Sequence, residues 1–148
     1  MLVRYDCSNM ATINMQTMRY INLLHKVTRV KARKCFVYNN VIYFAVHPRF
    51  LSKAIGPSGK NLKLISERLG KRVRVIKDAP GNVKGIERFI SSIVSPVEFV
   101  SLEVRDGVFI LTAGSRTRAA TLIGRNKVRL DELNKIIESY FGKRLRIV

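Results

Sequence analysis

Two stretches of the chain align with each other, so the sequence predicts two similar structural units. The stretch "IGPSGKNLKLISERLGKRVRVI" begins at Ile55, and "IGRNKVRLDELNKIIESYFGKRLRIV" begins at Ile123. Both begin with Ile-Gly, continue through a basic amphipathic segment and reach Gly-Lys-Arg before a mainly apolar end. The opening glycines are 68 residues apart and the closing glycines are 72 apart. Because this difference is about one helical turn, the second copy is predicted to contain a longer helix.

The first unit begins with an amphipathic helix and a hairpin. Residues 14–27 place Met18, Ile21 and Leu24 on one helical face, which is typical of a helix packed on a core. Two β-rich runs then flank an Asn-Asn pair at residues 39–40, and asparagine tolerates the positive φ of a tight turn. The pattern therefore predicts a helix followed by two antiparallel strands.

The second unit repeats this order. Residues 82–94 form the predicted upstream helix, and a hairpin turned by Asp106-Gly107 follows. After each hairpin come a short helix, a glycine-containing loop, a second helix and a basic strand. We therefore predict an α+β fold of two tandem units, residues 1–78 and residues 79–148, each a three-stranded sheet covered by helices.

The charge of the chain predicts a polyanionic partner. The 148 residues include 28 Lys+Arg against 10 Asp+Glu, a net charge of +18. Residues 1–78 carry +13 of this charge and residues 79–148 carry +5. No run approaches the ~20 apolar residues of a membrane-spanning helix, and the first twenty residues lack the apolar centre of a signal peptide. We therefore expect a cytoplasmic protein that binds nucleic acid and not a membrane.

The polar residues do not form an enzyme or metal site by sequence pattern. Cys7 and Cys35, together with His25 and His47, include no short-spaced metal pair. We expect Cys35 to be a small core residue and Cys7 to be a terminal thiol. The adjacent acidic pair at residues 131–132 fits a solvated helix start. The sequence thus predicts no catalytic residue, no metal, no cofactor and no small-molecule substrate.

The loop "GPSG" at residues 56–59 is the candidate binding element of the first unit. Taken alone, it also fits an ordinary turn, because Pro57 suits the second position of a β-turn. It is not a Walker A loop, since Asn61 stands where that motif needs Ser or Thr. At the start of a helix, however, free backbone N–H groups and the positive end of the helix dipole favour an anion. Glycines also let a sugar-phosphate chain approach closely.

With "IGPSGKN" between paired helices and the same element order found twice, the chain resembles the tandem type II KH domains of archaeal NusA-like transcription factors. The resemblance covers nearly the whole chain. It implies non-enzymatic binding of single-stranded RNA in transcription elongation, termination or antitermination, with RNA polymerase as a further partner. It also implies that the loop clamps about four nucleotides. Small-subunit ribosomal proteins contain type II KH domains too, so an RNA-binding protein of the translation machinery remains the alternative. We expect a monomer.

The expected RNA contacts centre on the first loop and its flanking helices. The residues predicted to bind RNA are Gly56, Pro57, Ser58, Gly59, Lys60, Lys53, Lys63 and Ile55. The lysines would hold phosphates without reading sequence. Ile55, Leu62, Ile42 and Phe44 are candidates for an apolar groove floor, although each also fits a plain core position.

The second loop departs from the motif. It consists of Gly124, Arg125, Asn126 and Lys127, with lysine in place of the second glycine. A side chain at that position would hinder close approach of an RNA backbone, while the two cations could still attract phosphates. The second loop is therefore expected to be either a weaker RNA site or a structural partner of the first.

Overall fold

The computed structural model describes residues 15–148 apart from residue 80, and these residues form two compact units. One unit ends at Asp78 and the other begins at Ala79. The predictions that involve Cys7, Asn14 and Pro80 fall outside the described residues. Both units are α+β, as the sequence predicts.

The first unit is a three-stranded sheet with helices. Its elements are α1 (Met15–Thr28), β1 (Lys34–Tyr38), β2 (Val41–Val46), α2 (Leu51–Ile55), α3 (Lys60–Leu69) and β3 (Arg72–Lys77), with 3₁₀ turns at Pro48–Phe50 and Pro57–Gly59. Strand β2 is central, with β1 antiparallel on one side and β3 parallel on the other. Asn39 and Asn40 both have positive φ, which confirms the tight hairpin between β1 and β2.

The core of the first unit lies between the helices and one face of the sheet. Its buried members are Tyr20, Leu24, Val30, Ala32, Cys35, Ile42, Phe44, Val46, Ala54 and Ile65. The prediction for α1 is wrong at Met18, which is 52% exposed, because the buried side of the helix centres on Thr17, Tyr20, Leu24 and Thr28. Thr28 can be buried because its hydroxyl donates to the Leu24 carbonyl at 2.7 Å.

The second unit repeats the arrangement. Its elements are α4 (Val83–Val94), β4 (Ser101–Arg105), β5 (Val108–Thr112), α5 (Arg116–Ile123), α6 (Val128–Phe141) and β6 (Arg144–Ile147), with a 3₁₀ turn at Arg125–Lys127. Strand β5 is central, antiparallel to β4 and parallel to β6. The hairpin turn at Asp106-Gly107 is confirmed by the positive φ of both residues. Helix α6 has 14 residues against 10 in α3, which confirms the longer second helix.

Local sequence signals explain where the helices of the second unit begin and end. The side chain of Asn82 accepts a hydrogen bond from the Gly85 N–H at 2.6 Å and caps α4, and Ser115 does the same for α5 through the Arg118 N–H. Helix α6 ends at Gly142, whose left-handed backbone stops the helix as glycine usually does.

Among the described residues, no helix combines the length and the apolar character needed to cross a bilayer.

Burial of Cys35 is expected to make the stability of the protein sensitive to alkaline pH. The side chain is 1% exposed, and this burial raises the pKa of its thiol from 9.0 to about 12. An unfolded chain releases this proton near pH 9, whereas the folded chain holds it up to about pH 12. The free energy of unfolding should therefore fall as the pH rises between these two values. The expected contribution of this one thiol is ~1.4 kcal/mol per pH unit.

Urea unfolding of the wild type and of a Cys35→Ala variant at several pH values measures this contribution. Other groups titrate in the same range, but they are shared by both proteins and cancel in the difference. We expect the stability advantage of the wild type to shrink steadily above pH 9. A difference that stays constant with pH would show that the buried thiol does not control alkaline stability.

Candidate nucleic-acid interface

The first glycine loop joins α2 to α3 by a fixed and unusual backbone path. Helix α2 ends at Gly56, which has φ 79° and ψ 170°. Ser58 and Gly59 then take left-handed conformations, with φ of 54° and 73°, and α3 begins at Lys60. Few residues other than glycine adopt the Gly56 conformation, while the left-handed region accepts other residues at a modest cost. The two glycines therefore have different conformational needs.

Backbone hydrogen bonds within the loop hold this path. The Gly59 N–H donates to the Gly56 carbonyl at 3.2 Å, and the Lys60 N–H donates to the Pro57 carbonyl. The expectation that N–H groups at the start of α3 are free for an anion is therefore wrong for these two, because the 3₁₀ turn uses them. A phosphate placed at this loop would therefore be attracted mainly by the helix dipole and by nearby lysines.

The surroundings of the two glycines also differ. A Cβ atom on Gly56 would lie 2.8 Å from the Cγ and Nδ2 atoms of Asn61, and that amide donates to the Lys53 carbonyl at 3.1 Å. A Cβ atom on Gly59 would meet nothing within 4 Å. Gly56 thus makes room for a side chain of its own unit. Gly59 faces open space, where an approaching ligand would meet bare backbone.

The predicted RNA-binding side chains surround this open position. Lys53, Lys60 and Lys63 are exposed, as are Pro57 and Ser58. Across the part of the chain that the structure describes, none of the three lysines belongs to an ion pair with a carboxylate. The loop therefore presents three cations without a carboxylate partner next to an unobstructed backbone.

The predicted apolar groove floor is wrong for two of its four members. Ile42 and Phe44 are 0% exposed and belong to the core, because their side of the central strand β2 packs against the helices. Ile55 and Leu62 are half-buried, one at the end of α2 and one near the start of α3. The partly open apolar surface near the loop therefore comes from the two helices rather than from the sheet.

The second loop has the same backbone path despite its different sequence. Gly124 has φ 79° and ψ 171°, and Asn126 and Lys127 are left-handed with φ of 57° and 62°. The Lys127 N–H donates to the Gly124 carbonyl at 3.2 Å, as in the first loop. A Cβ on Gly124 would lie 2.7 Å from Arg129. The lysine thus adds an exposed side chain where the first loop has none, without changing the fold.

The structure also shows a basic surface that the sequence pattern does not predict. Arg29, Lys31 and Arg33 lie in the segment between α1 and β1 and line one pocket together with Arg49. The sequence feature that could have indicated this surface is a group of three cations within five residues, at positions 29–33. Because this segment lacks the glycine pattern of a phosphate loop, no motif points to it.

Within the described ranges, no cluster of three or more His, Cys, Asp or Glu side chains could hold a metal ion. The adjacent residues Asp131 and Glu132 lie near the start of α6. Glu132 forms an ion pair with Arg129, one turn earlier in the helix. This carboxylate therefore has a structural partner, as a residue on a solvated helix start is expected to have.

Comparison with known proteins shows similarity to a curated protein and to a solved structure. The chain is 26% identical over 132 residues to the "Probable transcription termination protein NusA" of Halococcus morrhuae, a match that covers 88% of this chain and 92% of that protein. The chain resembles NusA. The crystal structure of APE1850 matches 92% of this chain and all of that chain, with a TM-score of 0.65 and 26% identity. No family model matches. Because an alignment of 132 residues is longer than either unit, the similarity to NusA extends into both units.

Proposed function

We propose that this chain is a non-enzymatic transcription factor that binds nascent single-stranded RNA through two tandem type II KH domains, residues 1–78 and residues 79–148. The observation that carries the proposal is the helix–loop–helix around each opening glycine. It occurs twice with one backbone path, and its first copy exposes bare backbone beside three lysines. The similarity to NusA supports the same conclusion.

The order of elements supports the type II assignment. In each unit a helix and a strand precede the central strand, and the paired helices with their loop connect that strand to a parallel neighbour. In a unit with this order, the helix–loop–helix follows the central strand along the chain after a short connection. KH domains clamp single-stranded RNA with such a loop, and side chains beside it contact the bases.

The first loop is the proposed principal RNA site. Its contacts are Gly56, Pro57, Ser58, Gly59, Lys60, Lys53, Lys63 and Ile55. Gly59 gives a phosphate close access to backbone, the lysines supply charge, and Ile55 offers a partly exposed apolar contact for a base or ribose. The second loop, with Gly124, Arg125, Asn126 and Lys127, is the proposed weaker site, because the Lys127 side chain occupies the corresponding approach.

The similarity to NusA supports a biological role in transcription. The Halococcus protein is named for transcription termination, and we extend that role to this chain, with RNA polymerase as a partner. In this role the protein is a cytoplasmic monomer. Its net charge of +18 supports fast encounter with RNA, since opposite charges steer association.

Titration of the purified protein with a fluorescent single-stranded RNA, at about 50 to about 300 mM salt, tests the proposal. We expect log K to fall linearly with log salt, with a slope near −3 if about four phosphates are contacted. A duplex of the same sequence should bind at least about tenfold more weakly, because its bases are not accessible to the loop.

Two results of this titration would contradict the proposal. Equal affinity for the duplex and the single strand would indicate a general polyanion binder. An affinity that does not change with salt would show that contacts to phosphates do not contribute to RNA binding. The same RNA, recovered after incubation with Mg²⁺ and protein, should be intact on a denaturing gel, and cleavage would show that the chain is an enzyme.

A further inference from the structure

The first unit contains a second basic site, separate from the glycine loop. A pocket of about 440 Å³ is lined by Val30 and by six residues with charged or aromatic side chains, Arg29, Lys31, Arg33, His47, Arg49 and Phe50. Of these six, three come from the segment between α1 and β1, and three come from the end of β2 and the 3₁₀ turn after it. None of the loop residues 56–59 lines this pocket. We refer to it as the basic pocket.

The basic pocket carries uncompensated positive charge. Four of its six charged or aromatic side chains are cationic. In the region covered by the structure, the one ion pair that reaches the pocket joins Arg33 to Asp78, at 3.6 Å. Arg29, Lys31 and Arg49 are exposed and take no part in the ion pairs of these residues. Like charges this close together repel one another, and binding of an anionic ligand reduces that repulsion.

His47 and Phe50 add a hydrogen-bond donor and an aromatic face to this charge. The Arg49 N–H donates to the Nδ1 atom of His47 at 3.1 Å. A neutral His47 must then carry its proton on Nε2, which makes that atom a donor. Phe50 is 41% exposed, and its ring centroid lies 6.0 Å from that of His47. Donors for a phosphate thus stand beside a surface on which a base can stack.

Arg29 occupies a backbone position that does not favour arginine. It has φ 64° at the end of α1, and its N–H donates to the His25 carbonyl at 2.8 Å. Helices that end in this way usually have glycine or asparagine there, because other side chains are strained in the left-handed conformation. The sequence therefore has a guanidinium at a position where the backbone conformation favours glycine.

The second unit shows that the fold itself does not need these cations. Its corresponding segment between α4 and β4, "SPVEFV" at residues 95–100, has no Lys or Arg and contains Glu98. The connection after β5 begins Ala113-Gly114-Ser115, without the histidine and proline of the first unit. The basic pocket is thus an addition to one copy of the repeat.

We propose that the basic pocket binds one nucleotide of the single-stranded RNA that the first glycine loop holds. Its phosphate contacts Arg29, Arg49 and the Nε2–H of His47, and its base stacks on Phe50. The identity of the ligand as RNA rests on the proposed function. The strand then continues from the loop to the pocket, so the first unit binds a longer segment than the loop alone does.

Two substitutions remove the charge of the pocket with little risk to folding. Arg29→Gly suits the left-handed backbone, and Arg49→Gln keeps the N–H that donates to His47. This double variant should bind a dodecanucleotide about tenfold more weakly than the wild type and leave tetranucleotide binding unchanged. Its salt slope should be smaller by about 0.7 for each phosphate that the variant no longer neutralises. Phe50→Ala should weaken dodecanucleotide binding by about fivefold or more, with an unchanged salt slope.

The matched control is Lys84→Gln/Arg88→Gln, which removes two exposed cations from α4 of the second unit. Dodecanucleotide affinity that falls no further in the pocket variant than in this control would overturn the proposal.

A Pro57→Asp/Ser58→Asp variant separates the two sites, because it should weaken binding of both RNA lengths. Normal RNA binding by that loop variant, together with weaker binding by the pocket variant, would refute the loop assignment and support the pocket. A wild type that binds neither RNA would refute both.

Discussion

Replacing Pro57 and Ser58 with aspartate should weaken single-stranded RNA binding by about 30-fold to 100-fold. Each carboxylate would stand at an exposed loop position where a phosphate is proposed to lie, and two like charges at about 4 Å repel by about 1 kcal/mol or more each. The fold should be spared. Aspartate is accepted in the left-handed conformation of Ser58, and Pro57 opens a 3₁₀ turn in which its ring is not required. Fluorescence anisotropy measures the affinity, and urea unfolding checks that the free energy of unfolding changes by less than about 1.5 kcal/mol.

The second loop offers a matched control for this variant. Arg125→Asp/Asn126→Asp places carboxylates on the same backbone path, since Asn126 and Ser58 have φ of 57° and 54°. This control removes more positive charge than the first variant does, because Arg125 is itself a cation. We nevertheless expect affinity to fall only about threefold, which is near the effect of a single peripheral charge. A fall as large as that at the first loop would assign the principal site to the second loop or to charge alone.

Gly56→Ala should destabilise the protein by about 3 kcal/mol, which is a large share of the stability of a small domain. Two costs add at this position. The backbone conformation of φ 79° and ψ 170° is one that side chains rarely adopt, and the new Cβ would lie 2.8 Å from the Asn61 amide. Urea unfolding followed by circular dichroism measures the change in the free energy of unfolding. The fit determines the midpoint of the transition together with the slope of this free energy against urea concentration.

Gly59→Ala is the control for backbone strain without a steric clash. Its φ of 73° is left-handed, and nothing lies within 4 Å of the added atom. We expect a cost of about 1 kcal/mol in the free energy of unfolding, with a clear decrease in RNA affinity because the methyl group blocks the approach of a phosphate. Equal destabilisation by the two alanine substitutions would show that Asn61 does not require glycine at position 56.

Much of the fold follows from the repeat and from periodicity. The predicted helix at residues 14–27 ends one residue before the observed end of α1 at Thr28, and the spacing of the glycines anticipates the longer α6. The error at Met18 has a physical cause. Hydropathy ranks methionine above threonine, but α1 buries Thr17 and Thr28 and leaves Met18 exposed. The Thr28 hydroxyl is paired with the Leu24 carbonyl, and the sequence does not reveal such a bond.

The candidate site is less predictable than the fold. The motif identifies the first loop, but not that Gly59 faces open space while Gly56 faces Asn61, since these surroundings depend on packing. Ile42 and Phe44 fit a groove by sequence because strand alternation does not tell which face a helix covers. The basic pocket escapes sequence patterns because its side chains come from two segments that meet only when β1 and β2 pair.

The common backbone path of the two glycine loops means that the path itself does not depend on which residue stands at the last position of the loop. The conformation at the last position of each loop is left-handed with either glycine or lysine, so the residue there is free to change without rebuilding the helices on either side. Under the proposed function, a single codon at this position sets how closely an RNA backbone can approach each loop. The proposed RNA contact of either loop can then be strengthened or weakened by substitutions that leave the hydrophobic cores unchanged.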